Sequence, residues 1–264
     1  MFLRLKDDRG FTVLEILVSV AVGTIILLGL YALLQTGQST TSRGEQKLDL
    51  QQAARAGLDT MVRDLRMAGS GLPNPHDYTN PDAAFTAATA NSVSFRIDPH
   101  SANTVLTANA SPGTTVISLD STTSFTAGGT IYIFGNDGGS PPVNHWETRV
   151  VSSKTGTSLT LNAGLSNTYN AGSQVAQPRI YAYDRNGTTL RRDAGDGNGP
   201  QPLAENISAL SIRYYDTTDS EITSPSTHLA DIRRLQITIT AFKGSQLRGD
   251  QTFLLSSSIR PRNT

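Results

Sequence analysis

The apolar residues of this chain are concentrated in one segment near the N-terminus. Between Phe11 and Leu34 almost every position is apolar or small, and Glu15 carries the only charge. Beyond Leu34 the chain becomes rich in Thr, Ser, Gly and Asn, and no comparable apolar run occurs. The run from Ile16 to Leu34 measures roughly 28 Å as an α-helix, which is enough to cross the hydrocarbon core of a bilayer. We therefore expect a membrane-spanning helix at residues 11–34 and a soluble remainder.

A helical pattern continues after this segment and becomes amphipathic over residues 35–69. One face of it carries apolar residues at the i, i+3, i+4, i+7 spacing, namely Leu58, Met61, Val62 and Leu65. The charged residues fall mostly off this stripe and are expected to face solvent or a neighbouring chain: Arg55, Asp59, Arg63 and Asp64. Glycine and then proline at residues 69–73 are typical of a helix end. We expect this part of the helix to pack on a globular head.

Residues 70–264 are expected to form a β-rich head. Apolar and polar residues alternate over residues 232–240, and Asn186-Gly187 is a strong hairpin signal between two candidate strands. The candidate strands are residues 92–97, 115–119, 130–134, 147–152, 158–161, 179–183, 188–192, 207–215, 232–242 and 252–259. Because the strands follow the helix without βαβ alternation, the expected class is α+β, with the long helix packed on a mainly antiparallel sheet. Residues 100–177, with short strands and many turns, are interpreted as an inserted β-rich region.

Composition excludes several kinds of function. The 22 basic and 22 acidic residues balance, so no field over the whole surface attracts nucleic acid. Cysteine is absent, which excludes disulfides, thiolate metal sites and cysteine nucleophiles. The chain has no Gly-x-Ser-x-Gly elbow, no phosphate-binding Gly-Lys-Ser/Thr and no His-Glu-x-x-His. The sequence therefore predicts neither an enzyme nor a cofactor.

Glu15 is unusual because it stands at the start of an apolar run. An ionised carboxylate inside a membrane costs a few kcal/mol at the centre of a helix and less near the interface. Cleavage between Gly10 and Phe11 would create a positive partner, a free α-amino group four residues before Glu15. This charge pair, within one chain or between staggered chains, would disfavour wrong registers in a helix bundle. Ser19 and Gly23 add a small-residue face on which another helix can pack closely.

Residues 9–15, Arg-Gly-Phe-Thr-Val-Leu-Glu, resemble the leader site of type IV prepilins and of type II secretion pseudopilins. The resemblance implies that residues 1–10 are a leader peptide. It also implies that a prepilin peptidase cuts after Gly10 and methylates Phe11, and that Glu15 is the acid of the mature helix. An uncleaved signal anchor is the alternative, and the positive residues before the helix would orient either form with its head outside the cytoplasm.

A second resemblance lies at the end of the helix and in the last third of the chain. Residues 63–69, 203–207, 212–216, 233–237 and 258–263 look similar to PilW-like minor pilins and to the J-type minor pseudopilin. The implied function is a non-catalytic minor pilin at the initiation or tip of a type IV pilus, located in the bacterial inner membrane and then at the cell surface. A type II secretion pseudopilin is one alternative, and a membrane-anchored adhesin or binding module that does not polymerise is another.

The same resemblance implies a set of partners. They are the prepilin peptidase/methylase, other major and minor pilins or pseudopilins, an inner-membrane assembly platform, and membrane lipid before assembly.

Three smaller features have ordinary interpretations beside functional ones. Asp193, Asp196 and Asn198 could hold Ca²⁺, but a solvated turn rich in Asx and Gly is favoured, since the order of ligands in an EF-hand is not met. The Arg-Gly-Asp sequence at residues 248–250 is interpreted as a polar turn. Trp146 could form a carbohydrate-binding face with Tyr132, Tyr181 and Tyr183, but packing within a sheet is favoured.

Overall fold

The computed structural model describes residues 12–99, 104–244 and 251–262. A single long helix, α1 (Val13–Arg66, 54 residues), precedes a series of antiparallel strands. This arrangement confirms the α+β class. The predicted leader, residues 1–10, and Phe11 lie outside the described residues, as does the Arg-Gly-Asp sequence at residues 248–250.

Helix α1 runs without proline from the apolar segment into the head, and it ends where the sequence indicates. Met67 is its C-cap, and Gly69 follows with a φ of +83°, a conformation that glycine adopts without strain. Gly71 also has a positive φ, and a Cβ there would lie 2.8 Å from the Cβ of Asp98. The chain therefore needs both backbone freedom and the absence of a side chain where it turns from the helix into the sheet.

The described strands form three sheets. They are β1 (Phe85–Ala88), β2 (Val93–Ile97), β3 (Val116–Ser118), β4 (Thr130–Asn136), β5 (Asn144–Lys154), β6 (Ser158–Leu161), β7 (Gln174–Ala176), β8 (Arg179–Asn186), β9 (Thr189–Asp193), β10 (Gln201–Ala204), β11 (Ile207–Tyr215), β12 (Arg234–Lys243) and β13 (Gln251–Ile259). The strand orders are β1-β2-β8-β9-β10, β11-β12-β13 and β3-β6-β5-β4-β7. Two short 3₁₀ helices, Pro225–Thr227 and Leu229–Asp231, lie between β11 and β12.

Strands β3 to β7 form a separate sheet with a buried core of its own. β2 pairs directly with β8, from Val93 opposite Tyr183 to Ile97 opposite Arg179, although five strands lie between them in the sequence. Those five strands, β3 to β7, form the third sheet around a second cluster of buried residues that includes Phe125 and Tyr169. The two cores are adjacent, because Tyr132 and Phe134 of β4 belong to the main cluster.

The hairpin between β8 and β9 differs by one residue from the prediction. Asn186 still belongs to β8 and pairs with Thr189, so the two loop residues are Gly187 and Thr188. Gly187 has a φ of +59°, which fits a tight two-residue hairpin loop. Two residues before Asn186, Asp184 forms an ion pair with Arg191 across the hairpin.

The apolar stripe of α1 packs against the main core as predicted. Leu58, Met61 and Leu65 are at most 5 % exposed. Gly57 allows the helix to approach the sheet closely, since a Cβ at this position would lie 3.0 Å from a methyl group of Leu190. The hydrophobic effect of this stripe, about 25 cal/mol per Å² of apolar surface buried, holds the second half of the helix on the head.

The prediction that Asp64 faces solvent or a neighbouring chain is wrong. Its side chain is 4 % exposed and accepts hydrogen bonds from the Tyr183 hydroxyl and from Nε of Arg192, both at 2.7 Å. Burial and the hydrogen bond to Asp64 raise the pKa of Tyr183 far above its ordinary value, so this hydroxyl remains a donor. Asp64 stands at the edge of the apolar stripe, and its partners are more than a hundred residues away in the sequence, which hides the contact from pattern analysis.

Replacing Asp64 should therefore weaken the junction between helix and head. We expect Asp64→Ala to lower the free energy of unfolding by about 3 kcal/mol, because it leaves Tyr183 and Arg192 without their buried acceptor. Asp184→Ala, which breaks a more exposed ion pair with Arg191, should lower it by less than about 1 kcal/mol. Urea unfolding of the full chain in detergent, followed by circular dichroism, measures both; equal losses would contradict the assigned role of Asp64.

Candidate functional site: the exposed apolar half of the helix

The first half of α1 presents apolar side chains that no other part of the described chain covers. Residues Val13–Gln38 form a stretch of 26 residues that is long and apolar enough to cross a membrane, and its most apolar 18 residues have a mean hydropathy of 2.5. Large side chains along it are mostly exposed, for example Leu28 at 68 % and Leu33 at 71 %. Exposed apolar surface of this extent marks a site of contact with lipid or protein.

The helix begins with a capping box that the sequence analysis missed. Thr12 is the N-cap, and its hydroxyl accepts a hydrogen bond from the backbone N–H of Glu15 at 3.3 Å. In return, the carboxylate of Glu15 accepts from the backbone N–H of Thr12 at 3.5 Å. The Thr-x-x-Glu spacing is the sequence signature of this arrangement. The carboxylate that the sequence marks as unusual therefore lies over the first turn, one residue away from the predicted new N-terminus.

The hydroxyl groups inside the apolar segment are satisfied by the helix itself. Ser19 donates to the carbonyl of Glu15 at 2.7 Å, and Thr24 donates to the carbonyl of Val20 at 2.8 Å. A polar group without a partner in hydrocarbon costs several kcal/mol, so these internal bonds make the segment compatible with lipid. Apart from the neighbouring backbone of its own helix, Gly23 has no heavy atom within 4 Å of the position where a Cβ would stand, so this side of the helix is open.

Of the predicted site residues, the structure places Glu15, Ser19 and Gly23 on this one exposed segment. Ser19 and Gly23 are one turn apart on the same face, and the Ser19 hydroxyl turns back onto the carbonyl of Glu15. Gly10 and Phe11, the two sides of the predicted cleavage, lie outside the described residues.

The candidate Ca²⁺ ligands lie in a turn whose carboxylates accept hydrogen bonds from the backbone of the same turn. Asp193 accepts from the N–H of Gly195 at 2.8 Å, and Asp196 accepts from the N–H of Asn198 at 3.1 Å. The bonds from the backbone and side chain of Asn198 lower the pKa of Asp196 below its usual range. Within the described ranges, no group of three or more His, Asp or Glu side chains is arranged to hold a metal ion.

The aromatic residues considered as a sugar-binding face do not form one surface. Trp146 stacks on Tyr132 with 6.3 Å between ring centroids, and its indole N–H donates to the carbonyl of Thr79. Tyr181 and Tyr183 lie on β8 in a different sheet and pack against Phe95. Packing within the sheets accounts for all four rings.

The start of the chain and the first half of α1 match a known family model. Residues 5–31 match the family model described as the prokaryotic N-terminal methylation motif. The chain has a type IV prepilin-like N-terminus. The match covers about a tenth of the chain, so it describes the helix start and not the head. It implies processing by a prepilin peptidase and assembly with other pilins, and together with the apolar helix it fits a membrane-anchored protein. No curated protein matches the chain.

The capping box yields a testable prediction about the helix start. Thr12→Val removes the hydroxyl that accepts from Glu15, and we expect the first turn to lose about 1 kcal/mol of local stability. Hydrogen–deuterium exchange in micelles should show faster exchange at residues 13–16 only. Thr41→Val is the matched control, because the Thr41 hydroxyl bonds to the carbonyl of Gly37 inside the helix. Equal exchange in the first turn of both variants would contradict the cap.

Proposed function

We propose that this chain is a minor pilin, a non-catalytic subunit at the initiation or tip of a type IV pilus. In this proposal residues 1–10 are removed, Phe11 becomes the N-methylated first residue, and residues 11–34 form the core of the filament. Residues 35–69 join this core to the head, residues 70–264. The observation that carries the proposal is the coincidence of the methylation motif at residues 5–31 with an exposed apolar helix that starts at Val13.

The physical argument begins with the surface of that helix. Each fully buried Val, Leu or Ile side chain contributes about 1.5–3 kcal/mol, so the exposed apolar residues of α1 require a cover. A bilayer covers them before assembly, and the equivalent helices of other subunits cover them afterwards. Since lipid tails are as apolar as leucine, the transfer needs helix packing and polar pairing as its driving force. In this proposal the open side of the helix at Gly23 allows close helix packing, and the carboxylate of Glu15 provides the polar pairing.

Glu15 changes its partner when the filament forms, in this view. In the single chain the carboxylate bonds to the backbone N–H of Thr12, at the long distance of 3.5 Å. A free amine at Phe11 would lie next to that group, and the amine of a staggered neighbour could replace it. A charge-assisted hydrogen bond is roughly twice as strong as a neutral one. Pairing with the neighbour therefore fixes the vertical offset between subunits.

The size of the head favours a position of this subunit at the end of the fibre rather than along its length. After removal of the ten leader residues from 264, the mature chain has 254 residues, and it carries a second sheet with its own core. A subunit that repeats along a fibre must fit neighbours on all sides, whereas a large head is accommodated more easily at the tip. The resemblance to PilW-like minor pilins supports the same place. In the cell this head would lie outside the cytoplasm, with the inner-membrane assembly platform below it.

The first residue of the protein purified from its native host tests whether the chain is processed as a prepilin. We expect intact mass and peptide fragmentation to show a chain that begins at N-methylated Phe11. Gly10→Val should leave the chain at full length, because the cut needs a residue without a side chain before it. Gly23→Val, within the helix, is the control and should be cleaved normally. A wild-type chain that still begins at Met1 beside an active prepilin peptidase would contradict the proposal.

Two substitutions at Glu15 separate its role in the charge pair from its role in the capping box. Glu15→Val and Glu15→Gln should both be cleaved and inserted, yet both should enter filaments about tenfold less, because neither carries the charge that pairs with an amine. Glutamine can still serve in a capping box, so normal incorporation of Glu15→Gln would assign the residue to the cap alone. Sheared surface fibres, quantified by immunoblot against the membrane fraction, give the measurement. If deletion abolishes protein secretion and not fibres, the chain is a pseudopilin instead.

A further inference from the structure

The C-terminal strand β13 has a free edge of unusual length. In the sheet order β11-β12-β13 it is the last strand, and no other strand of the described ranges pairs with its second side. It spans nine residues, Gln251–Ile259, and its ladder with β12 is continuous without a bulge. The edge strands of the other two sheets have only three or four residues: β1, β3, β7 and β10. β11, the opposite edge of the same sheet, also has nine residues, but its ladder contains a bulge, and Ile212 and Tyr214 already bond to Ala90 and Ile222 on its outer side. Short and irregular edges resist pairing, whereas a long regular edge is a template for another strand.

The register shows which backbone groups of β13 are free. Ile212 donates its N–H to the carbonyl of Ala90, away from β12, so its partner Ile237 directs its own backbone groups to the other side, towards β13. Ile237 pairs with Ser257, and bonding alternates along an antiparallel pair. The backbone groups of Thr252, Leu254, Ser256 and Ser258 therefore project from the free edge. Four donors and four acceptors in a row at strand spacing recognise an extended peptide and little else.

The side chains at this edge suit an uncharged strand. From Thr252 to Ile259 no residue is charged, and none is proline. Phe253 and Leu255 point towards the helix side of the sheet and are only half buried, which leaves room for apolar side chains beside them. Leu254 on the opposite face is 60 % exposed. A partner strand with apolar residues at alternate positions would complete both faces.

The direction of β13 excludes a second copy of this chain as that partner. Lys243 at the end of β12 lines the same cleft as Leu50, and the N–H of Arg262 donates to the carbonyl of Arg66. β13 therefore runs in the same direction as α1, away from the apolar segment. Antiparallel pairing of two β13 strands would reverse one of the two helices, and parallel pairing would place them on opposite sides of the joint sheet. Neither is compatible with parallel helices that pack together, a condition that rests on the proposed function.

We propose that β13 receives an extended, uncharged strand from a different subunit of the same assembly, by addition to its free edge. Main-chain hydrogen bonds supply the attraction, and the half-buried Phe253 and Leu255 select alternate apolar side chains. The contact joins the head of this chain to one specific neighbour, while the helix supplies the general contact with the filament.

Photo-crosslinking in the native host tests the edge. A benzoyl-phenylalanine at position 254 should form an adduct with another subunit, and one at the exposed position 116 on β3 should not form the same adduct. Ser256→Pro removes an outward N–H without breaking the ladder to β12, so it should lower the adduct yield about tenfold. Ser256→Ala keeps the backbone and should leave the yield unchanged. Ser256→Lys, which places a charge at the edge, is a second disruptive variant should the proline variant unfold.

The outcomes are distinct from those for the proposed function. Supporting results are an adduct with a different subunit that both disruptive variants lose and Ser256→Ala keeps. An adduct between two copies, no adduct at all, or equal yields in Ser256→Ala and the disruptive variants would overturn the inference. Mass analysis of the same samples shows whether the chain begins at Phe11, so a failure of processing is seen separately from a failure of the edge contact.

Discussion

The structure depends on one constraint: the first half of α1 is apolar on all sides, and nothing in the described chain covers it. A soluble helix of this length would bury one stripe and expose charges on the other side. Here the second half behaves in that way, whereas the first half needs a surrounding of lipid or of other helices. Since the two halves are one helix without proline, the apolar part is joined to the head without a break in the helix.

The rigidity of that connection depends on how the helix ends in the head. Leu58, Met61 and Leu65 give the contact its apolar area, but apolar packing alone tolerates small slides and rotations. The buried carboxylate of Asp64 accepts from Tyr183 and Arg192 at fixed points of β8 and β9, so it sets the rotation and height of the helix. The close approach at Gly57 acts in the same sense.

The polar groups of this molecule differ in whether their hydrogen bonds are satisfied within the chain. Most are satisfied within the chain: the hydroxyls of Ser19 and Thr24 bond to their own helix, and Asp193 and Asp196 bond to their own turn. The carboxylate of Glu15 and the free edge of β13 differ, since the first has only a long bond to Thr12 and the second has no strand beside it in the described ranges. Glu15 lies at the start of the helix and β13 lies in the head, which suits the two contacts that we propose, one in a filament core and one between heads.

The sequence by itself determined the long helix, its apolar and amphipathic halves, its end near Gly69 and the α+β class. These features follow from local patterns, because hydropathy and helix-ending residues act over a few positions. It also marked Glu15, and the Thr-x-x-Glu spacing contained the cap that was overlooked. Only the tertiary structure decided the burial of Asp64, the pairing of β2 with β8 across the inserted region, and the free edge of β13. Each of these joins residues far apart in the chain, and such contacts are selected by the packing of the whole core rather than by any local pattern.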